Sequence, residues 1–157
     1  MLTQLIPLML LSPILVAIAV CDMRQLRIPN MLCLIAVGLF VLTLPMLPLG
    51  EAALRAGVAG FVFVIGFVLF AFRIIGGGDV KAMSALLLFI PTTTLSLFSL
   101  VFSFSLIIGV TFIVTLRSVS RMQRTGLASM QAVGRFPMGV SIGMAGLIHP
   151  AIVLYLF

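Results

Sequence analysis

The sequence predicts an all-α, polytopic membrane protein, and three observations support that class: an apolar composition, a scarcity of charge and long apolar runs. Of the 157 residues, 63% are apolar and 8% are charged, whereas charged residues make up about a quarter of a typical soluble domain. The acidic residues are three, Asp22, Glu51 and Asp79. Twelve charged residues, nine basic and three acidic, cannot cover the surface of a soluble protein of this size.

Hydropathy predicts a bundle of about six transmembrane helices that forms a single domain, residues 1–157, since each crossing needs about 20 residues. The predicted spans cover residues 5–20, 31–47, 52–72, 80–90, 95–116 and 137–157. The first is interpreted as a retained helix, because it lacks the basic start and small-residue cleavage site of a secretory signal peptide. The fourth is too short to cross alone. It either continues through Thr92–Thr94 or begins in a cavity.

The basic residues predict the orientation of these helices. Eight of the nine fall in alternate connections, and therefore on one side of the membrane: Arg24, Arg27, Arg73, Lys81, Arg117, Arg121, Arg124 and Arg135. The positive-inside rule makes that side cytoplasmic and puts both termini on the other side. Arg55 is the exception. A net charge of +6 spread in this way favours contacts with lipid headgroups, and we expect no nucleic-acid partner.

The same topology brings two carboxylates to one depth. Asp22 ends the first helix and Asp79 begins the fourth. The two crossings between them, helices two and three, return the chain to the same side, so both aspartates are predicted on the cytoplasmic side. Two carboxylates held close together share a proton, and such a pair can activate a water and protonate a leaving group. Other interpretations stay open, because Asp79 could cap its helix and Asp22 could pair with Arg24 or Arg27.

Three glycines, Gly76 to Gly78, come directly before Asp79. They could form a flexible hinge, or they could let the backbone approach a site closely. They do not form a phosphate-binding loop, because the Lys-Ser/Thr ending of that motif is missing. Cys21 and Cys33 make no CxxC pair, so we expect no metal site and no cofactor.

Taken together, these motifs resemble those of the GxGD intramembrane aspartyl proteases, and in particular the type IV prepilin peptidases. The first element is Gly76-Gly77-Gly78-Asp79-Val80-Lys81. The second is Asp22, followed by a short basic loop and Ile28-Pro29-Asn30. A weaker third element, Phe136-Pro137-Met138-Gly139, opens the last helix. The order of the three elements is similar to that of the family, and they cover nearly the whole chain.

The resemblance implies that Asp22 and Asp79 are the catalytic pair, one activating a water and the other protonating the leaving group. It also implies supporting residues, which are Gly76, Gly78 and Lys81 of the glycine motif, and Pro137 and Gly139 of a candidate substrate loop. Lys81 could equally be a cation that extends from a helix end to the membrane surface. The implied substrate is a prepilin or pseudopilin, cut between a short basic leader and an apolar helix at the cytoplasmic face of the bacterial inner membrane.

The departures from the family narrow this prediction. Larger bifunctional members carry a cytoplasmic region with paired CxxC motifs and also methylate the new N-terminus. The short loops of this chain cannot house such a region, so we expect a peptidase without N-methyltransferase activity, similar to the small enzymes of tight-adherence (Flp-type) pili.

Archaeal preflagellin peptidases remain an alternative within the family. Outside it, the alternative is a small proton-coupled transporter or channel-like protein that uses the same carboxylates. The oligomeric state is left open.

Small residues that repeat every four positions predict close packing of two helices. They are Ala52, Ala56 and Gly60 in the third helix, and Gly139 and Gly143 in the sixth. Both helices are therefore predicted to lie inside the bundle. Asn30 is predicted to cap the second helix, and residues 117–135 are predicted to form a partly helical loop on the bilayer surface.

Overall fold

The computed structural model describes residues 2–118 and 136–156, so most of the predicted surface loop lies outside the described residues. Every regular element in these two ranges is helical, which confirms the all-α class. The α-helices are α1 (Leu2–Gln25), α2 (Asn30–Thr43), α3 (Leu49–Ala71), α4 (Gly77–Leu87), α5 (Leu95–Ser118) and α6 (Met138–Leu156). Short 3-10 turns, Leu44–Met46 and Thr92–Thr94, follow α2 and precede α5.

Four of these helices are long and apolar enough to cross a membrane, which supports the prediction that the chain is a membrane protein. The candidate spans are Gln4–Gln25, Leu49–Ala71, Thr92–Leu116 and Met138–Leu156. The apolar stretch Asn30–Met46 is shorter. With 11 residues, α4 covers only about half of a bilayer, and it does not continue through Thr92–Thr94, which form a separate turn. Of the two interpretations of the fourth helix, the structure therefore favours the one in which it begins in a cavity.

The centre of the bundle is α6, which packs against α1, α4 and α5. At Gly143, an added Cβ would lie 3.0 Å from the backbone oxygen of Leu15. At Gly146, it would lie 2.6 Å from the Cδ1 atom of Leu15 and 3.0 Å from that of Leu86. Glycine therefore allows α1 and α4 to approach the same face of α6, and the predicted interior position of α6 is confirmed.

The predicted interior position of α3 is wrong. This helix packs mainly against α4, and most of its side chains are exposed at the surface of the protein. Ala52 is buried, but Ala56 and Gly60 are exposed, and a Cβ added at Gly60 would meet no atom within 4 Å. Small residues permit a close approach between helices, but they do not determine which helix approaches or whether it belongs to the same chain.

The two ends of the bundle differ in character. We call the end that carries Asp22 and Asp79 the aspartate end. The end where α3 begins is called the opposite end. At the opposite end Arg55 is fully buried, and its Nε atom donates to Glu51 Oε1 at 2.9 Å. Arg55 also donates from Nη1 to the carbonyl oxygen of Phe89 at 3.2 Å. Arg55 disagreed with the predicted orientation because it is a buried, ion-paired residue and not a membrane-surface cation.

Candidate active site

Asp22 is fixed in the last turn of α1 by the beginning of α6. Its side chain is 4% exposed, and its Oδ2 atom accepts a hydrogen bond from the backbone N–H of Gly139 at 2.6 Å. Gly139 is the second residue of α6, where backbone N–H groups have no partner within their own helix. The positive end of the helix dipole also favours a negative charge at this position. The beginning of α6 therefore holds the Asp22 carboxyl in a defined position.

The close contact between Asp22 and α6 requires glycine at position 139. A Cβ added to Gly139 would lie 2.9 Å from both the Cβ and the Oδ2 atoms of Asp22. No ion pair joins Asp22 to Arg24 or Arg27 in the structure, within the described ranges. The alternative in which Asp22 pairs with a neighbouring arginine is therefore not supported.

Asp79 occupies the third position of α4 and does not cap it. The N-cap residue is Gly76, without a side-chain cap hydrogen bond, so the capping interpretation of Asp79 is wrong. The side chain of Asp79 is half-buried. Burial raises the pKa of the Asp79 carboxyl to about 6, and the negative charge of Asp22 adds to the increase. The two carboxylates therefore lie at the same end of the bundle, where the charge of Asp22 acts on Asp79.

The glycines before Asp79 allow close contacts at the aspartate end. A Cβ at Gly76 would lie 2.6 Å from Asp79 Oδ2, and one at Gly78 would lie 3.2 Å from the Cβ of Ile28. Gly76 has φ −70°, a value open to any residue. Close approach, and not an unusual backbone conformation, therefore explains why glycine is needed at Gly76. Ile28 belongs to the short loop between α1 and α2, so Gly78 brings that loop against α4.

A cavity of about 1200 Å³ at the aspartate end collects most of the residues that the sequence singled out. Its lining includes Asp22, Asp79, Gly76, Gly78 and Lys81. The cations Arg27 and Arg73 also line it, which agrees with the prediction that basic residues of alternate connections share one side. Which side of the membrane this is remains a prediction from the positive-inside rule.

Lys81 contacts α2 and not the aspartates. Its Nζ atom donates to Asn30 Oδ1 at 3.0 Å, and none of the ion pairs of the described residues joins it to Asp22 or Asp79. Asn30 is the first residue of α2. The N-cap position is occupied by Pro29, and no side chain makes a cap hydrogen bond there. The predicted cap role of Asn30 is therefore wrong, and this side chain instead links α2 to α4.

The candidate substrate loop has a role that the sequence did not reveal. Pro137 is buried, whereas Phe136 and Met138 line the cavity, and the backbone of Gly139 holds Asp22. A proline just before a helix start was the available signal, because it marks the turn whose N–H groups lack partners. Contact of Pro137 or Gly139 with a substrate stays a prediction.

Both helices that end at the cavity do so through a left-handed residue. Leu26 follows α1 with φ 50°, and Arg73 follows α3 with φ 60°. After α3, the N–H of Arg73 donates to Phe70 O at 2.9 Å and that of Ile74 to Leu69 O at 3.0 Å. This is the Schellman arrangement, which usually uses glycine, and a non-glycine residue there costs about 1–2 kcal/mol. Backbone strain is therefore concentrated around the cavity.

These features define a class: an apolar helical membrane protein with two interacting carboxylates in a polar cavity at one end of the bundle. In the part of the chain that the structure describes, no group of three His, Cys, Asp or Glu side chains is arranged to hold a metal ion.

The sequence model of the type IV leader peptidase family matches residues 9–115, and the chain belongs to this family. No curated protein and no solved structure matches the chain. The matched range contains Asp22 and Asp79 but ends before Pro137. Membership implies peptidase activity and confirms the resemblance at the level of the family.

Proposed function

We propose that this protein is an aspartyl endopeptidase that removes the basic leader from a prepilin or pseudopilin. The observation that carries the proposal is the convergence of Asp22 and Asp79 on one cavity at the ends of α1 and α4. Their charges interact, and neither carboxylate is neutralised by an ion pair among the described residues. Two carboxylates in such a setting hold one proton between them, which is the state that hydrolysis by an aspartyl pair needs.

The contacts of the two aspartates support a division of labour. Asp22 accepts the Gly139 N–H, which offsets part of the cost of burying its charge. The pKa of Asp79 is raised to about 6 by burial and by the charge of Asp22. We therefore assign the base to Asp22 and the acid to Asp79. Asp22 then removes a proton from a water while the oxygen of that water attacks the scissile carbonyl carbon. Asp79 gives its proton to the carbonyl oxygen. Collapse of the tetrahedral intermediate breaks the C–N bond. The proton held by Asp22 passes to the leaving nitrogen, and one hydroxyl of the intermediate returns its proton to Asp79 as the carbonyl re-forms. Because the pair titrates together, its pKa values belong to the pair.

The distribution of basic residues and the family of the chain support the proposed location and substrate. The positive-inside rule places the cavity at the cytoplasmic face of the bacterial inner membrane, where a leader emerging from an apolar helix is accessible. The short connections among the described residues favour a small, Flp-type peptidase without N-methyltransferase activity. No cofactor is needed for this reaction, since a water and two carboxyl groups supply every proton and the nucleophile.

The decisive experiment compares wild type with Asp22→Asn and Asp79→Asn in membranes that contain a tagged Flp-type prepilin. Asparagine is nearly isosteric with aspartate, and its amide oxygen can still accept the Gly139 N–H, so both variants should accumulate normally. We expect leader removal, seen as a mobility shift, to fall by at least about a hundredfold in each variant.

The matched control is Glu51→Gln, which removes the third acidic residue, at the opposite end. Its cleavage per folded molecule should be unchanged. Cleavage by either aspartate variant at the wild-type rate would disprove the catalytic pair. Absence of cleavage by wild type on a panel of prepilins would favour a proton-conducting role for the same carboxylates.

A further inference from the structure

A second, apolar cavity lies on the side of the bundle, between α2, α3 and α4. We call it the lateral groove. It has a volume of about 530 Å³ and is lined mostly by small or apolar side chains, including Val37 of α2, Ala56 and Gly60 of α3, and Ser84 of α4. Leu34 and Phe63 also line it and are exposed, so the groove opens towards the surrounding lipid.

The lateral groove is continuous with the cavity that contains the aspartates. Asn30 and Lys81 line both spaces, and the hydrogen bond between them stands at the boundary. From Asn30 to Val37, the groove follows α2 for about two helical turns, or roughly 10 Å. A segment that leaves the aspartates past Lys81 therefore enters the groove directly.

Ser84 indicates that the groove receives a polar partner as well as an apolar one. Ser84 is 8% exposed, and its hydroxyl has no hydrogen-bond partner among residues 2–118 and 136–156. A buried hydroxyl without a partner costs about 1–3 kcal/mol. Ser84 lies five residues after Asp79 on α4, about 7.5 Å along the helix axis. A bound helix that begins near the aspartates would bring its first turn, with its free backbone N–H groups, to this hydroxyl.

The small residues of the groove are uncovered, in contrast to those of α6. Leu15 packs against both Gly143 and Gly146 of α6. In the groove, Ala56 and Gly60 are exposed, and the space beside Gly60 is open. Surfaces of small residues allow a transmembrane helix to approach closely. An acyl chain could fill the same volume, but it has no N–H group for Ser84.

We propose that the lateral groove binds the first two turns of the apolar helix that follows the scissile bond of the substrate. The inference rests on the proposed function, since it assumes that cleavage occurs at the aspartates. It assigns the recognition of the substrate helix to α2, α3 and α4, and it explains why α3 carries small residues that no helix in the described part of the chain covers.

The first test fills the groove with a bulky side chain. Gly60→Trp places an indole in the groove, whereas Gly57→Trp is the matched control. Both glycines are exposed on α3, and no atom of the described residues lies within 4 Å of a Cβ added to either, but of the two Gly60 alone lines the groove. With a Flp-type prepilin, we expect Gly60→Trp to raise KM by about tenfold or more with little change in kcat, and Gly57→Trp to leave both unchanged.

A shortened peptide separates helix binding from other causes of a slower reaction. It contains the leader and a few residues after the scissile bond, but lacks the apolar helix. Gly60→Trp should not slow cleavage of this peptide. Equal slowing with both substrates, or no effect on either, would overturn the inference, because the groove would then hold lipid or only support the fold.

Crosslinking tests the same contact without requiring catalysis. In an Asp79→Asn background with Cys21 and Cys33 replaced by alanine, a single cysteine is introduced at Gly60 or at Gly57. The prepilin carries one cysteine, scanned through the first two turns of its apolar helix. Oxidation should link the prepilin to position 60 and not to position 57.

Linkage at both positions, at neither, or between two copies of the enzyme through position 60 would overturn the inference. If wild type fails to cut any prepilin, the proposed function fails. The crosslinking result still decides whether the groove binds an apolar helix.

Discussion

The two ends of the bundle use acidic residues in opposite ways. At the opposite end, Glu51 accepts hydrogen bonds from Arg55 Nε at 2.9 Å, Thr92 N at 2.9 Å and Thr92 Oγ1 at 2.6 Å. Its charge is neutralised by a fully buried arginine. At the aspartate end, Asp22 has one backbone donor, and Asp79 is half-buried beside another carboxylate. A carboxylate with all its partners supplied stabilises a structure, whereas one that lacks them is available for proton transfer.

The largest effect on stability is expected from Glu51→Ala. This change leaves the buried Arg55 without a counter-charge, and breaking a buried pair by removing one partner costs about 3–5 kcal/mol. Thermal unfolding in detergent should therefore show a much lower Tm, while cleavage per folded molecule stays close to wild type.

The double variant Glu51→Leu/Arg55→Met is the control, because an apolar pair of similar volume replaces a buried ion pair at little cost. It should recover most of the lost stability. If the double variant is as unstable as Glu51→Ala, the ion pair is not the cause of the loss.

An intermediate effect, on activity alone, is expected from Gly76→Ala. The new Cβ would lie 2.6 Å from Asp79 Oδ2, and the carboxylate, as the free end of a side chain, would move away. A displacement of about 1 Å at a reacting group can cost about a hundredfold in rate, whereas the loss of glycine at a helix N-cap costs about 1 kcal/mol or less. Gly57→Ala, on the open face of α3, is the matched control. Similar cleavage rates for the two variants would contradict the role given to Gly76.

The smallest effect is a dependence of stability on pH at the aspartate end. The pKa of Asp79 is raised from 3.8 to about 6 in the folded protein, so between these values the folded state binds more protons than the unfolded state. Stability should therefore fall as the pH rises through this window. Asp79→Asn removes the free-energy cost of ionising this buried carboxyl, so the Tm of the variant should exceed that of wild type above pH 6.

The difference in Tm should shrink towards zero near pH 4, where Asp79 is protonated in both states. A difference in Tm that is constant from pH 4 to pH 8 would show that ionisation of Asp79 does not oppose folding.

Much of the fold was predictable because hydropathy and depth are local properties of the chain. Runs of apolar residues located the helices to within a few residues, although α1 continues past residue 20 to Gln25 and α4 ends at Leu87. Counting the crossings placed Asp22 and Asp79 at one end of the bundle, where they share a cavity. The sequence by itself therefore determined the class of protein, its family motifs and the two carboxylates of the candidate site.

The tertiary structure alone decided how the helices face one another. Both the exposed and the buried side chains of this chain are mostly apolar, so polarity does not distinguish the two faces of a helix as it does in a soluble protein. For that reason the small residues of α3 predicted an interior helix, whereas α3 is peripheral. Arg55 departed from the predicted charge distribution because it binds Glu51 and the carbonyl oxygen of Phe89 inside the protein. The bond from Gly139 to Asp22 joins residues 117 positions apart, and such a contact is set by packing and not by local sequence.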